Sequence, residues 1–367
     1  MNDFFSATDT RQCKSDWTYV AQQYGTAFQN FELCRIFEET WPGRYYPHHI
    51  LLYKEDKPVA LAPAYLYESC PRVDYYKRSC QEHPISDPIF LSHALIGWYG
   101  FPCAANYADK RLVAQRFFTV ARQFNAIAMF AGIDARDAAS IQALQDEGFV
   151  LKHFHTLMIR DLTHAPVDDP TATQPARRRH RLRNLIARAE RAGCTIRHAT
   201  RADHDAIIHL LTGMMEQKRK NADALPSVFL AKLLESAPPG LEVLVAVDPQ
   251  DTPIGVHLNL HWGSTYAMWL GANERSLLNQ FYQSHLLYEY SVKRAKALGC
   301  NEVQAGRSPY QMKFHHGFEP TPLLCAVRGT SSTQHQRAAD WAEALALRHH
   351  AIYPSVAYKK WEMQPVK

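Results

Sequence analysis

The sequence predicts an α/β protein in which one domain plan is used twice. Three observations carry that expectation. First, residues 49–67 and 241–260 each read as an apolar strand, a charged turn and a second strand: Lys54-Glu55-Asp56-Lys57 forms one turn, Asp248 to Thr252 the other. Second, each half then offers a long amphipathic helix followed by a short strand, over 110–124 then 126–130 and over 281–298 then 302–305. Third, each half closes on Gly-Phe and an apolar strand, Gly148-Phe149 before Thr156 and Gly317-Phe318 before Leu323. Segments of period 2 and period 3.6 recurring in one order are the mark of a duplicated module.

Taken in order, residues 1–22 read as polar and irregular. A helix over 24–41 stops at Pro42-Gly43, and the first hairpin follows. Residues 68–98, with Pro71, Pro84 and Pro88 among aromatics, read as a long irregular excursion. Its aromatics and those just before it (Tyr65, Tyr67, Tyr75, Tyr76, Trp98, Tyr99) either pack the first domain or wall an acceptor pocket. Residues 163–175, rich in Pro, Asp and Thr, form the linker, so the expected division is 1–162, 163–175 and 176–367. A helix from Ala176 carries Leu182, Leu185, Ile186 and Ala189 on one stripe and stops at Gly193. A strand over 195–198, a helix over 203–220 ending in Lys218-Arg219-Lys220, and a last helix over 334–350 complete the chain.

A length of 367 residues suits two domains, and 46% apolar with 21% charged residues is ordinary for a globular protein. No apolar run approaches the roughly 20 residues needed to cross a bilayer, and no leader is visible at the first residues. The eight cysteines lack a C-x-x-C pair, which fits a reducing cytoplasm rather than a disulfide framework. Cys80 and His83 have a metal-like interval with no second pair to answer it, so no metal site is expected. The net charge of +5 is unevenly spread: eight arginines and one acid, Glu190, lie between Arg177 and Arg197. That helix is either a solvated face or a dock for a polyanion, arginine's planar fork suiting phosphate.

There is no Gly-x-Ser-x-Gly elbow and no paired-carboxylate constellation, so hydrolysis is disfavoured. The strand after Pro253 sets His257, Asn259 and His261 on one alternation, facing solvent or a reaction cleft. A histidine there suits proton transfer near neutrality. After the next strand, Arg307 and Lys313 suit contact with a phosphate or carboxylate or with an oxyanion, and Tyr310 suits protonation of a leaving group; the same residues also read as an exposed polar loop and a helix start after Pro309, and Trp269 is a further substrate-binding candidate. Glu274 and Arg275 read as a solvated turn. His315 and His316 are adjacent and point apart on a helix, which speaks against a shared metal.

The order of elements resembles the GNAT acyltransferase fold, and two copies resemble the Fem-type peptidyltransferases and related BioF2-like acetyltransferase proteins. The match is carried by Arg177 to Gly193, by Val303-Gln-Ala-Gly306, by Tyr310-Gln-Met-Lys313-Phe and by Gly317-Phe318-Glu-Pro320. The resemblance implies two tandem GNAT-like domains, each a mixed central sheet flanked by helices. It implies a degenerate, pocket-shaping first domain and a catalytic second one. It also implies amide formation by acyl or aminoacyl transfer to a small-molecule or peptide amine. Lys313, Tyr310, His257 and His261 are then the catalytic candidates, Arg307, Asn259 and Trp269 the substrate contacts. Arg177, Arg178, Arg179, Arg181 and Arg183 become the donor-phosphate contacts.

No cofactor is expected to be tightly bound; the donor is aminoacyl-tRNA or acyl-CoA. Gly271-Ala-Asn-Glu-Arg275 stands where acyl-CoA enzymes of this fold carry a glycine pair that cradles pyrophosphate, and the pair is missing. That gap, usual in Fem-type enzymes, favours aminoacyl-tRNA. The alternative is a non-catalytic pair of such domains binding RNA or an anionic surface through the helix of Arg177 to Arg191.

Overall fold

Both charged turns expected from the sequence form hairpins. Strand β3 (His49–Lys54) pairs antiparallel with β4 (Lys57–Ala62). The two residues between them, Glu55 and Asp56, have φ of 50° and 60°, the left-handed pair that a tight two-residue hairpin demands. β11 (Leu241–Val247) and β12 (Pro253–Trp262) form the second hairpin, again antiparallel.

The computed structural model describes residues 2–7, 13–80, 83–92, 96–166, 169, 171–217, 225–307 and 309–353. The basic run Lys218-Arg219-Lys220 lies outside them. The chain packs as two units. One comprises residues 1–35, 43–156 and 320–367, the other residues 36–42 and 157–319. The last strand and helix therefore belong with the first unit, although they follow the second in sequence.

In the first unit, β1 (Asn2–Ala7), β3, β4 and β7 (Cys103–Ala104) form one antiparallel sheet. A second, mixed sheet runs in the order β15 (Glu319–Arg328), β8 (Ile127–Asp134), β6 (Ile89–Leu91), β5 (Tyr65–Ser69), β2 (Arg44–Pro47). β8 lies antiparallel to β15 and parallel to β6. Helix α4 (Tyr107–Gln123) supplies Val113, Phe117 and Val120 to a core that includes Phe90, Phe130, Phe149, Leu324 and Ala326.

Three segments differ from expectation. Residues 1–22 hold β1 and the start of helix α1 (Lys14–Tyr24), whose Trp17, Val20 and Ala21 are buried. The helix expected over 24–41 begins late: α1 has already ended at Tyr24, and α2 (Phe31–Thr40) starts only at Phe31, with Asn30 accepting from the backbone N–H groups of Glu32 and Leu33. The excursion is partly regular, with helix α3 (Pro71–Ser79) and strand β6; proline is well placed at a first helical position because its missing N–H is not needed there.

In the second unit the sheet order is β10 (Thr195–His198), β11, β12, β13 (Thr265–Asn273), β14 (Glu302–Gln304) and the end of β9 (Val150–Asp161), of which residues from Leu157 on fall in this unit and the earlier ones in the first. All neighbours are antiparallel except β13 and β14, which pair in parallel only from Thr265 to Ala267. β13 continues to Asn273 beyond that pairing. A register shift against β12 at Leu258/Asn259 gives β13 an extra residue, Trp269. Helices α7 (His204–Gln217) and α10 (Gln283–Ala297) pack on β12 and β13. Helix α6 (Ala176–Arg191) packs on α10 through the expected stripe, with Leu182 and Ala189 buried and Leu185 and Ile186 partly so. α8 (Ser227–Ser236) was not expected from the sequence; its Phe229 is buried against Trp41 and Trp269.

No helix among the described residues is long and apolar enough to cross a membrane. All eight cysteines are buried, and none forms a disulfide.

Candidate active site

Strand β12, paired on both sides and packed by α7 and α10, is buried along most of its length. Its polar residues His257 and Asn259 are therefore interior groups, whereas His261, near the end of the strand, is partly exposed. His257 is 4% exposed. Its imidazole lies across from Gly271 on β13: a Cβ there would stand 2.8 Å from His257 Cδ2 and 3.1 Å from Nε2. Nδ1 stands 3.3 Å from the Ser291 hydroxyl on α10, and the Tyr288 ring meets the imidazole edge-on at 5.0 Å. Burial, aided by the charge of Lys313, pushes His257 down to about 3. The ring is neutral at physiological pH, because losing hydration penalises the charged form.

Lys313 lies on the short helix α11 (Tyr310–His315), 1% exposed. Its Nζ donates to the carbonyls of Gly306 (3.0 Å) and Arg307 (2.6 Å), and so ties down the segment between β14 and α11 that carries Arg307. Tyr310 opens that helix and is buried. The structure thus brings His257 within electrostatic reach of Lys313. His261 is not part of this group: it sits four residues along the strand, about 13 Å away at strand spacing, with Nε2 3.0 Å from the carbonyl oxygen of Gly263 in the hairpin. Trp269 packs on Phe229. Asn259 is fully buried, and neither of its amide atoms has a hydrogen-bond partner among the described residues. A primary amide left so in the interior is costly, and a bound polar group is one way to satisfy it.

Three further groups, which the sequence reading does not place in a site, extend the cluster: His316, His285 and Glu289. His316, just past α11, is fully buried. Its ring is stacked with Tyr288 at 5.0 Å and with His285 at 5.2 Å, and its Nε2 lies 3.0 Å from His285 Nδ1. Its carbonyl accepts from Arg160 (2.9 Å) and Gln174 (3.1 Å), while its Nδ1 is buried with no partner among the described residues. Burial holds both imidazoles below the usual histidine range, reinforced at His285 by His315 and Arg181. Glu289, one residue on from Tyr288, is buried, and desolvation raises its carboxyl. The result is a continuous row: His285, His316, Tyr288, His257, Ser291. Its only sequence signal is the i, i+3, i+6 spacing of His285, Tyr288 and Ser291 on one helix.

The arginines of α6 sit as expected. Arg177, Arg178, Arg181 and Arg183 are exposed and Arg179 is partly buried. Arg183 pairs with Asp169 at 2.9 Å, Arg179 reaches the Ala172 carbonyl at 3.3 Å, and Arg188 lies over the Tyr282 ring at 4.4 Å. Arg181 depresses both His285 and His315, and Arg178 also depresses His315. A cationic surface thus adjoins the histidine end of the row. A separate open cleft of about 390 Å³ is lined by His198, Arg201, His204, Leu234 and Glu242 among others, and by none of the candidates above. Among the described residues no group of His, Cys, Asp and Glu is arranged to hold a metal ion.

A six-stranded sheet with one parallel pair, α7 and α8 inserted between β10 and β11, and a long helix between β13 and β14 is the plan of the GNAT acyltransferases. Residues 176–313 match the family model described as an acetyltransferase (GNAT) domain. Over most of its length the chain has the fold of Fem-like, tandem-domain members of that superfamily. It is similar to FemX, at 10% identity and a TM-score of 0.61, over 88% of this chain and 96% of that one. It is similar to L-PGS from Bacillus licheniformis (13%, TM-score 0.59, 92% and 98%). It also resembles the C-terminal domain of a putative lysylphosphatidylglycerol synthetase from Agrobacterium fabrum (14%, TM-score 0.57, 94% and 98%). No curated protein matches the sequence.

Proposed function

We propose that the second unit transfers an aminoacyl group from tRNA to an amine, forming an amide. The observation that carries this reading is the exposed arginine face of α6 beside a buried polar row in an acyltransferase fold. In the reaction, the neutral amine attacks the ester carbonyl, the carbon–oxygen ester bond breaks, and the proton that the attacking nitrogen sheds replaces the one given to the leaving ribose oxygen, so no net proton is stored. Held neutral, His257 serves as a fixed hydrogen-bonding wall and not as the final store of that proton. Lys313 supplies positive potential where charge develops on the carbonyl oxygen, an effect that a dry site strengthens. Tyr310 is the proton donor to the leaving oxygen, Arg307 and Asn259 hold the acceptor, and Trp269 lines the site. Arg177, Arg178, Arg179, Arg181 and Arg183 take the donor's phosphates. The pocket-shaping role belongs to the first unit, and the compartment is the cytoplasm.

Coenzyme A thioesters are the competing donors. The loop of Gly271 to Arg275 lacks the glycine pair that would let backbone amides approach a pyrophosphate, which favours tRNA. A thermal-shift series with coenzyme A, acetyl-CoA and a bulk aminoacyl-tRNA pool separates them, because only the true donor stabilises the folded chain. Stabilisation by acetyl-CoA alone would replace tRNA with a thioester.

A second reading, a non-catalytic binder of RNA or an anionic surface, is favoured by one fact. Two of the Lys313 donors are engaged by backbone carbonyls, as in a purely structural lysine. Tyr310→Phe decides between the two: an enzyme loses turnover and keeps its affinity for tRNA, whereas a binder keeps both its fold and its affinity with no turnover to lose.

A further inference from the structure

Away from the candidate site, the first unit contains a cluster of four histidines. β9 contributes His153 and His155. The last helix, α12 (Ser332–Ile352), contributes His349 and His350. His153 Nδ1 lies 2.9 Å from His350 Nε2, and the two rings stack at 5.0 Å with 20° between their planes. His153 also meets His349 edge-on at 5.0 Å. The Thr156 hydroxyl stands 3.3 Å from Nε2 of both His153 and His349. His155 Nε2 lies 3.2 Å from the Tyr76 hydroxyl on α3, and its ring is 5.7 Å from that of His349. On the same helix, the buried Trp341 donates its indole N–H to the Tyr76 carbonyl at 3.3 Å.

We propose that this cluster is an acid-released latch, which holds α12 on the first unit while the imidazoles are neutral and lets it go when they are protonated. A nitrogen–nitrogen contact of 2.9 Å needs one imidazole to donate and the other to accept, so one of the pair must be neutral. The described charged and titratable groups on the elements of the cluster include Lys152 on β9, Asp74, Tyr75, Tyr76 and Lys77 on α3, the buried thiol of Cys325 on β15, and Arg348, Tyr353 and Glu343 on α12; the Asp74 carboxylate acts on Lys77. Glu343 is already paired with Lys152.

The direction of the effect follows from linkage. Burial and the neighbouring His350 hold His153 down to about 4, and burial also lowers His350. An opened chain has ordinary histidines near 6.5. The opened form therefore binds more protons between those values. The latch is fully held above about pH 6.5 and is lost as pH falls towards 4. Each proton taken up raises the opening equilibrium about tenfold per pH unit in that window.

The test is hydrogen exchange on the full chain at about pH 7.5 and about pH 5, corrected for intrinsic rates. Peptides of α12 should lose protection at the lower pH by about tenfold or more, while those of helix α5 (Ala138–Asp146), which packs on α4 and carries no histidine, keep theirs. The double variant His153→Gln, His350→Gln should remove most of that acid dependence. Protection of α12 that ignores pH, equal acid opening in the variant, or an equal loss in α5 overturns the proposal. Should the variant not fold, ring-nitrogen titration of the unaltered chain decides. Coupled titration of His153 and His350 below about pH 5, together with α12 release, supports the latch; independent titration near 6.5 overturns it.

Discussion

A single hydrogen at Gly271 sets how close the His257 ring can come to β13. Adding a methyl there would press on the imidazole at 2.8 Å, so Gly271→Ala should destabilise the chain by about 1–3 kcal/mol through overpacking, read as a lower midpoint in chemical denaturation. Lys313 makes a second residue-scale case. Lys313→Met keeps the bulk but strips two donors from the carbonyls of Gly306 and Arg307, at a cost of about 1–3 kcal/mol for buried acceptors left unmet. If Lys313 also polarises the reacting carbonyl, turnover should fall by more than that stability loss explains, and steady-state assays on the folded fraction measure the difference. The sequence made Lys313 and His257 visible as chemical types. It did not reveal that His257 is too deeply desolvated to act as a base near neutrality, because alternation along β12 cannot show that helices cover the strand. The His285–His316 pair was hidden for a related reason: its partners come from different elements.

At the scale of elements, α6 gives the plainest prediction. Its exposed arginines have few described partners, so Arg177→Ala, Arg178→Ala and Arg181→Ala together should leave thermal stability within about 0.5 kcal/mol. If tRNA is the donor, the same triple variant should lower the slope of binding affinity against salt by roughly three units, one for each phosphate no longer neutralised. Much of this scale was legible in advance. Both hairpins, α4, α6, α10 and the last helix follow from periodicity and turn chemistry, because each buries one regular face. The segments that escaped are those fixed by tertiary contact. β1, Asn2-Asp-Phe-Phe-Ser-Ala7, has neither strict alternation nor an apolar run to signal it, and it is fixed by pairing with β3. α3 hides among prolines until Pro71 is understood as a first helical residue. The helix expected from Tyr24 starts only at Phe31, where Asn30 caps it.

For the molecule as a whole, residues 320–367 complete the first unit. Leu324 and Ala326 of β15 sit in the core beside Phe130 and Phe149. A chain ending at Glu319 should therefore lose protection throughout the first unit while the second keeps its own, which hydrogen exchange on the truncated protein would reveal peptide by peptide. Equal protection in both units would mean that β15 is dispensable. The same arrangement imposes a timetable on synthesis. A ribosome releases everything needed for the second unit before it releases β15, so the nascent first unit waits with one side of β8 uncovered. An uncovered strand edge is a template for mispairing, and slow translation through the final stretch should raise the yield of insoluble product.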